Sequence, residues 1–340
     1  MKIALHRAVD TFFEPWKAYC EKNNIPHKVV NCYDNDIVDQ LADCDIVMWH
    51  HNHADPRDVL FARQLLVSLE ISGKTVFPDH YSTWHFDDKL GQKYLFEATG
   101  VPHVPTHVFY TKPDAVRWLE QATLPKVLKL RRGAGSRNVW LAHTKAEAMK
   151  AVNKAFGKGF RQYDAIGGVK ESLRKARMGK AGVKDIAKAA AHIVYPLHLE
   201  KSQGREKGYI YFQDFIPQNK FDIRVIIIGD RAFAIKRHVR ENDFRASGSG
   251  FIEYDRELFD ESLIALSFSN ADKIKAYCAA FDYVFLDGKP LVVEVSYGFN
   301  KKGYYDCPGY WSRNLTWNEG KFDPYGWMID DLIKRCQKNG

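Results

Sequence analysis

A chain of 340 residues, 45% hydrophobic and 27% charged, is long enough for two or three core-bearing units, which excludes a disordered tail or a simple repeat scaffold. The net charge of +8 is local: between Lys150 and Lys207 there are 14 Lys and Arg against 5 Asp and Glu, so the remainder of the chain is close to neutral. That segment has no interleaved aromatic platform, helix-turn-helix signal or zinc pattern, so specific nucleic-acid recognition is not expected, and an anionic small molecule, polymer or lipid surface would be attracted equally well.

Met1 to Asp10 carries one short apolar stretch broken by His6 and Arg7, and no run approaches the roughly 20 apolar residues of a spanning helix. Neither a secretion signal nor a membrane span is expected. Six cysteines, at Cys20, Cys32, Cys44, Cys278, Cys307 and Cys336, show no C-x-x-C pair and no zinc or disulfide spacing, which fits a reducing cytoplasm.

The first 80 residues alternate short β-rich runs (Ile3 to Leu5, Lys28 to Cys32, Ile46 to Trp49, Thr75 to Phe77) with helical stretches (Glu14 to Glu21, Asn35 to Ala42, Arg57 to Ile71). This spacing predicts a small parallel sheet covered on both faces. Ligands of such sheets sit beyond the carboxyl ends of strands, which puts His6 and Arg7, and then His50, His51 and His53, at a candidate substrate edge. Adjacent residues of an extended segment point to opposite sides, so His50 and His51 are poorly disposed to share one metal ion; loop or structural histidines are the plainer reading.

Phe86 to Thr99 is amphipathic, opens on Asp87 and Asp88 and stops at Gly100 and Pro102, as a helix does. Strand-like runs follow at Thr106 to Tyr110, Lys126 to Leu130 and Asn138 to His143, with a helical Pro113 to Gln121 between the first two. Lys150 to Lys207 reads as a basic, mainly helical insertion. Beyond it, strands are expected at Tyr209 to Phe215, Ile223 to Ile228, Ala232 to Val239, Phe281 to Leu286 and Leu291 to Val295, with a helix near Ser269 to Ala280 and an aromatic-rich tail containing Trp311, Trp317 and Trp327. Gly229 with Asp230, and Asp287 with Gly288, supply hairpin turns, so this half is expected to be an antiparallel sheet.

Three groups of residues carry chemistry. Lys129 ends a β-rich run and precedes Gly133, Ala134, Gly135 and Ser136, a small-residue loop able to turn backbone N–H groups toward phosphate oxygens; an ordinary hairpin turn has the same composition. Asp282 and Glu294 sit on successive strands of one hairpin, where an antiparallel pair can bring them to one face as hard oxygen ligands for magnesium, with Ser296 on the same face as Glu294. Glu294 lies inside the apolar run Leu291 to Val295, and a carboxylate there needs a partner. Arg224, Lys236, Arg237 and Arg245 form a positive series suited to a transferring phosphoryl group.

In this order the residues resemble the ATP-grasp superfamily, and within it the glutathione synthetase and ribosomal-protein glutamate ligase type, over nearly the whole chain. Asp88, Lys89 and Thr99 to Pro105 look like the start of the family's ATP-binding region, and Lys129 with Gly133 to Val139 like its phosphate-covering strand and flap. Tyr211 to Pro217, including Gln213, Asp214 and Phe215, is similar to its adenine-holding hinge, with Asp222 matching the acid near the ribose. Arg224, Lys236 and Arg237 match its phosphate- and intermediate-binding cations, Asn242 to Ser247, including Arg245, its substrate loop, and Asp282 with Glu294 two of its magnesium ligands. The family's metal motif usually closes as Glu, x, Asn; here it reads Glu294, Val295, Ser296, a weaker oxygen ligand.

The resemblance implies an α+β chain: an ATP-grasp fold of two antiparallel α+β subdomains clasping ATP, preceded by a small parallel α/β domain. The expected divisions are residues 1–84, 85–200 with the basic insertion at about 150–207, and 201–340. It implies an ADP-forming ligase using ATP and one or two Mg2+ ions to turn a carboxylate into an acyl phosphate that an amine then attacks. Arg224, Arg237 and Arg245 would serve the chemistry; Lys89, Lys129, Gly133, Gly135, Ser136, Gln213, Asp214, Phe215, Asp222 and Lys236 the nucleotide; Asp282, Glu294 and Ser296 the metal. The partners are then a small-molecule or saccharide carboxylate and an amine; a uronic acid of a surface polysaccharide is the specific expectation, aided by aromatic surface at Cys307 to Trp311 if that is not core, and peptide or amino-acid ligation is the alternative. A homo-oligomer stays open. A small-molecule kinase and a non-catalytic nucleotide-binding module are the readings from other classes.

Overall fold

The computed structural model describes residues 1–133, 138–162, 204–239, 244–245 and 250–339, with a few single positions between 163 and 203. The chain packs as two compact units, Met1–Phe86 with Gly91–His103 and Ile216–Gly340, and Asp87–Leu90 with Val104–Phe215.

The first unit begins with β1 (Ile3–His6), α1 (Phe13–Lys22), β2 (His27–Val30), α2 (Ile37–Gln40), β3 (Ile46–Met48), α3 (Pro56–Ile71), β4 (Thr75–Phe77), α4 (His80–Thr83) and, from Gly91 onward, α5 (Lys89–Thr99). The four strands form a parallel sheet in the order β2-β1-β3-β4, as the alternation predicts. Every residue of β1 and β3 is buried, the pattern of strands covered on both faces. α3 is fixed at its start by Asp55, whose side chain accepts from the Arg57 N–H, and by Pro56 in the first turn.

The second unit holds β5 (Thr106–Phe109), α6 (Lys112–Gln121), β6 (Lys126–Lys129), β7 (Val139–Ala142), α7 (Lys145–Ala155) and β8 (Ile210–Asp214), with sheet order β5-β8-β6-β7. Thr111 and Thr144 cap α6 and α7, and Ala115, Leu119, Ala148, Val152 and Ala155 pack against Leu128, Ile210 and Phe212. α7 thus runs into the basic segment and belongs to this core. Two hydrogen bonds between Phe160 and Glu206, 2.8 and 3.0 Å, join the ends of the part that lies between them.

The first unit resumes with β9 (Phe221–Ile228), β10 (Arg231–His238), β11 (Ile252–Glu253), α8 (Glu261–Lys273), β12 (Cys278–Leu286), β13 (Lys289–Ser296), β14 (Gly309–Ser312), β15 (Trp317–Glu319) and α9 (Pro324–Asn339). These strands make an antiparallel sheet in the order β13-β12-β9-β10-β14-β15, with β11 also on β10. Alternation along β9 sorts its two faces: Ile223, Val225 and Ile227 pack with Leu263, Ile264 and Phe268 of α8, while Ile226 and Ile228 join Ile3, Leu5 and Met48 and α9 residues Met328, Ile329 and Leu332 in one core.

One expectation is corrected here. The helix expected near Ser269 to Ala280 spans Glu261–Lys273, because Asp260 caps it through the Ser262 N–H at 2.7 Å. Ala279 and Ala280, helix formers by propensity, instead lie buried in β12. Trp311 is 1% exposed and packs on Trp317 and Phe259, so of the two roles open to it the core is the one it takes. All six cysteines are unpaired thiols. Among the described residues no helix is long and apolar enough to cross a membrane.

Candidate active site

β9, β12 and β13 place three charged side chains in one row: Arg224 pairs across with Asp282, and Asp282 with Glu294. Directly paired residues of an antiparallel ladder share a face, so the hairpin does bring the two carboxylates together. A register shift between Asp282 and Tyr283 marks a bulge at this point, a feature that re-aims side chains.

Arg224 meets Asp282 at two points, Nε to Oδ1 at 2.5 Å and Nη2 to Oδ2 at 2.7 Å. Arg237 reaches the same carboxylate through Nη2 at 3.0 Å while donating to both oxygens of Asp222, at 2.6 and 2.8 Å. The result is a buried, alternating chain of two acids and two guanidinium groups, with the Tyr304 phenol feeling the charge of Arg224 at one end. Burial is the largest influence on the Asp282 carboxyl and pushes it up, but the charges of Arg224 and Arg237 together prevail and hold it below the usual carboxylate range. Asp222, more dependent on one guanidinium, is pushed up by its burial. Asp222, matched by resemblance to a ribose contact, is therefore engaged with Arg237.

β13 is an edge strand of its sheet, and Gln92 of α5 covers that edge. Its Nε2 donates to the Val295 carbonyl at 2.8 Å and its Oε1 accepts from the Val295 N–H at 3.2 Å. The amide acts as one more strand residue between Glu294 and Ser296. The Ser296 hydroxyl closes a small ring with Gly298, donating to its carbonyl at 2.9 Å and accepting from its N–H at 3.1 Å.

These residues fit a magnesium ion as a pair of carboxylates, Asp282 and Glu294, whose remaining coordination positions water and phosphate oxygens would fill. Ser296 is turned into its own loop. Among the described residues no group of three or more His, Cys, Asp and Glu is arranged to hold a metal.

Lys236 does not join Arg237. As neighbours on one strand they point to opposite faces, and Lys236 lies over the Phe221 ring at 4.6 Å and pairs with Glu253 at 3.2 Å. Glu253 also holds His238. Arg245 lies 6.0 Å over Phe244.

Three of the strand-end histidines, His6, His50 and His51, are engaged within the fold. His6 is 2% exposed and its Nδ1 accepts from the Cys32 N–H at 3.0 Å; His50 accepts from the Phe12 N–H at 3.1 Å and stacks on that ring; His51 bonds Thr83 at 2.6 Å.

In the second unit Lys129 is buried at the end of β6, as its place in a β-rich run predicts. Gly133 lies in the loop that follows, with φ 133°, a conformation that favours glycine. Its N–H donates to Asp87 at 2.9 Å and its carbonyl accepts from Lys89 Nζ at 2.8 Å, while Arg131 forks onto Asp88 at 2.9 and 2.5 Å. The start of the small-residue loop is thus moored to residues 87–89; Gly135 and Ser136 lie outside the described residues. On β8, Gln213 donates to Thr106 at 3.2 Å, and Asp214 pairs with Lys126 at 2.6 Å; Phe215 follows the strand.

Sequence reasoning missed Tyr304, in a 3-10 turn after β13, and Gln92, which reads as an ordinary helix residue. No local signal marks either one, since each acts on a strand distant in sequence.

No protein-family model matches the sequence, and no curated protein does. Solved structures do match along the whole length. An ATP-grasp RimK domain protein from Sphaerobacter thermophilus superposes with a TM-score of 0.55 at 14% identity, covering 98% of this chain and 100% of its own. The D-alanine–D-alanine ligase of Bacillus anthracis, in complex with ATP, gives 0.56 at 13% identity over 100% and 98%. N5-carboxyaminoimidazole ribonucleotide synthetase from Thermotoga maritima gives 0.58 at 12% identity over 98% and 75%. The chain has the ATP-grasp fold.

Proposed function

We propose that this protein is an ATP-dependent carboxylate–amine ligase. The observation that carries the reading is the row Arg224, Asp282, Glu294 across β9, β12 and β13, cations and hard oxygen ligands on one sheet face, in a chain with this fold. A carboxylate oxygen of the substrate attacks the γ-phosphorus of ATP; the bond to the β-phosphate oxygen breaks, giving ADP and an acyl phosphate. The amine nitrogen then attacks the acyl carbon, phosphate leaves, and the ammonium loses its proton to solvent. Magnesium, held by Asp282 and Glu294, would neutralise phosphate charge. Arg224 and Arg237 would hold the developing negative charge through their N–H donors. Lys129 and the backbone of the loop that begins at Gly133 would offset phosphate charge, and Gln213, Asp214 and Phe215 would hold the base. No covalent enzyme intermediate is formed.

The finer reading is an anionic saccharide acceptor, a uronic-acid carboxylate, supported by the positive segment between Lys150 and Lys207. Peptide or amino-acid ligation is the alternative.

An ADP-release screen of carboxylates crossed with amines, with mass spectrometry of the products, tests both levels. The expected result is ADP release that depends on a carboxylate, and an amide product that depends on an amine. ADP release with a phosphorylated product indifferent to amine identifies a kinase, and no release with any pair refutes catalysis. Glu294→Gln, which removes a charge at constant volume, is expected to abolish turnover while preserving the fold; near-normal activity at saturating magnesium refutes the metal assignment.

A further inference from the structure

The Asp282 carboxylate has two suitors. Both of its oxygens accept from Arg224, and Oδ1 forms an ion pair with Arg237 as well. Arg237 is steered there by the two-point pair with Asp222. Asp282 and Arg237 are 8% and 7% exposed, so little solvent screens these charges. A cation that joins Asp282 must share the carboxylate with guanidinium groups already bonded to it, or displace them.

We infer that Arg224 and Arg237 act as a built-in counter-ion for Asp282, so that a divalent cation takes this carboxylate only as the guanidinium groups turn to an anionic phosphate, and the two load together. The inference rests on the metal reading above and goes beyond it, because it makes the two arginines competitors of the metal as well as partners of the phosphate. Two positive charges on one carboxylate repel strongly wherever solvent screening is incomplete, and a phosphate supplies both with a new partner. Weak metal binding by the protein alone and tight binding with nucleotide follow as one property of the cluster.

The test uses the full chain and Mn2+ as probe, with free Mn2+ read by electron paramagnetic resonance, with and without a non-hydrolysable ATP analogue. In the parent, Mn2+ is expected to bind weakly alone and at least about tenfold more tightly with the analogue. Arg224→Gln is expected to bind Mn2+ without nucleotide about tenfold or more tightly than the parent, since a repelling unit charge is gone, and to lose much of the nucleotide enhancement. Adding Asp282→Asn to it removes the gain. Arg237→Gln makes the same test should Arg224→Gln fail to fold. Unchanged or weaker Mn2+ binding in folded arginine variants, with normal nucleotide-dependent binding in the parent, overturns the inference alone. Absence of Mn2+ binding in the parent under both conditions overturns the metal reading and the inference with it.

Discussion

Gln92 and Val295 are 203 residues apart in sequence, yet the Gln92 side-chain amide makes both hydrogen bonds that a neighbouring strand would make with the Val295 backbone. That contact fixes the edge of β13 one residue from Glu294, which pairs across with Asp282. The same amide donates to the His85 carbonyl at 3.1 Å, so its orientation is itself determined.

Gln92→Met keeps the volume and removes both bonds, leaving a buried N–H and carbonyl without partners. A loss of about 2 kcal/mol of stability is expected by urea unfolding. If β13 is what aims Glu294, the folded variant also binds Mn2+ more weakly in the presence of an ATP analogue. A stability loss with unchanged Mn2+ binding would leave Gln92 a purely structural residue.

Breaking the Arg224–Asp282 pair from one side strands the other charge. Asp282→Asn should destabilise the fold by about 3–5 kcal/mol, whereas Arg224→Met with Asp282→Leu, which removes both charges, should recover most of that loss. Denaturant midpoints of the three proteins decide it; equal losses for the single and double variants would contradict a cost set by the stranded charge.

The elements most legible in the sequence are those with local signals. The β9–β10 and β12–β13 hairpins follow from Gly229 and from Asp287 with Gly288, all of which adopt positive φ, and the parallel sheet follows from alternation. The row of Asp282 and Glu294 was legible for the same reason, because a tight turn sets register and register sets face. What escaped depends on partners far along the chain. α9 packs its apolar face on α1 and the parallel sheet, and the alanines of β12 read as helix until the neighbouring strands claim them. Lys236 and Arg237 invite reading as one positive pair, yet strand alternation separates them, a rule available from sequence once β10 is drawn. The histidines at the strand ends looked like a substrate edge because nothing local shows that Phe12, Cys32 and Thr83 engage them.

Lys129 bears on nucleotide binding alone. Lys129→Ala is expected to weaken ATP at least about tenfold in calorimetry, the loss of a direct charge-assisted partner for phosphate, with the fold intact by circular dichroism. Unchanged affinity would reduce the loop that begins at Gly133 to a plain connection between β6 and β7.

The buried histidines set the acid limit of the fold. Burial, with Arg57 adding to it, lowers His6 to about 4; burial, then His53 and Lys301, lowers His50 to about 3; burial, then His50, puts His51 well below its usual value. All three are therefore neutral in the folded chain and protonate near pH 6.5 once unfolded. Below that pH the unfolded state binds more protons, so stability is complete above about pH 6.5 and falls as the pH drops toward each folded value, by up to about 1.4 kcal/mol per pH unit for each histidine. Urea unfolding at pH 7.5, 6.0 and 5.0 should show this decline setting in below pH 6.5. His6→Asn, whose amide oxygen can still accept from the Cys32 N–H, should make the decline shallower while costing some stability at pH 7.5. A midpoint that stays flat from pH 7.5 to 5.0, or a slope that His6→Asn leaves unchanged, would mean that these rings are not held neutral by the fold.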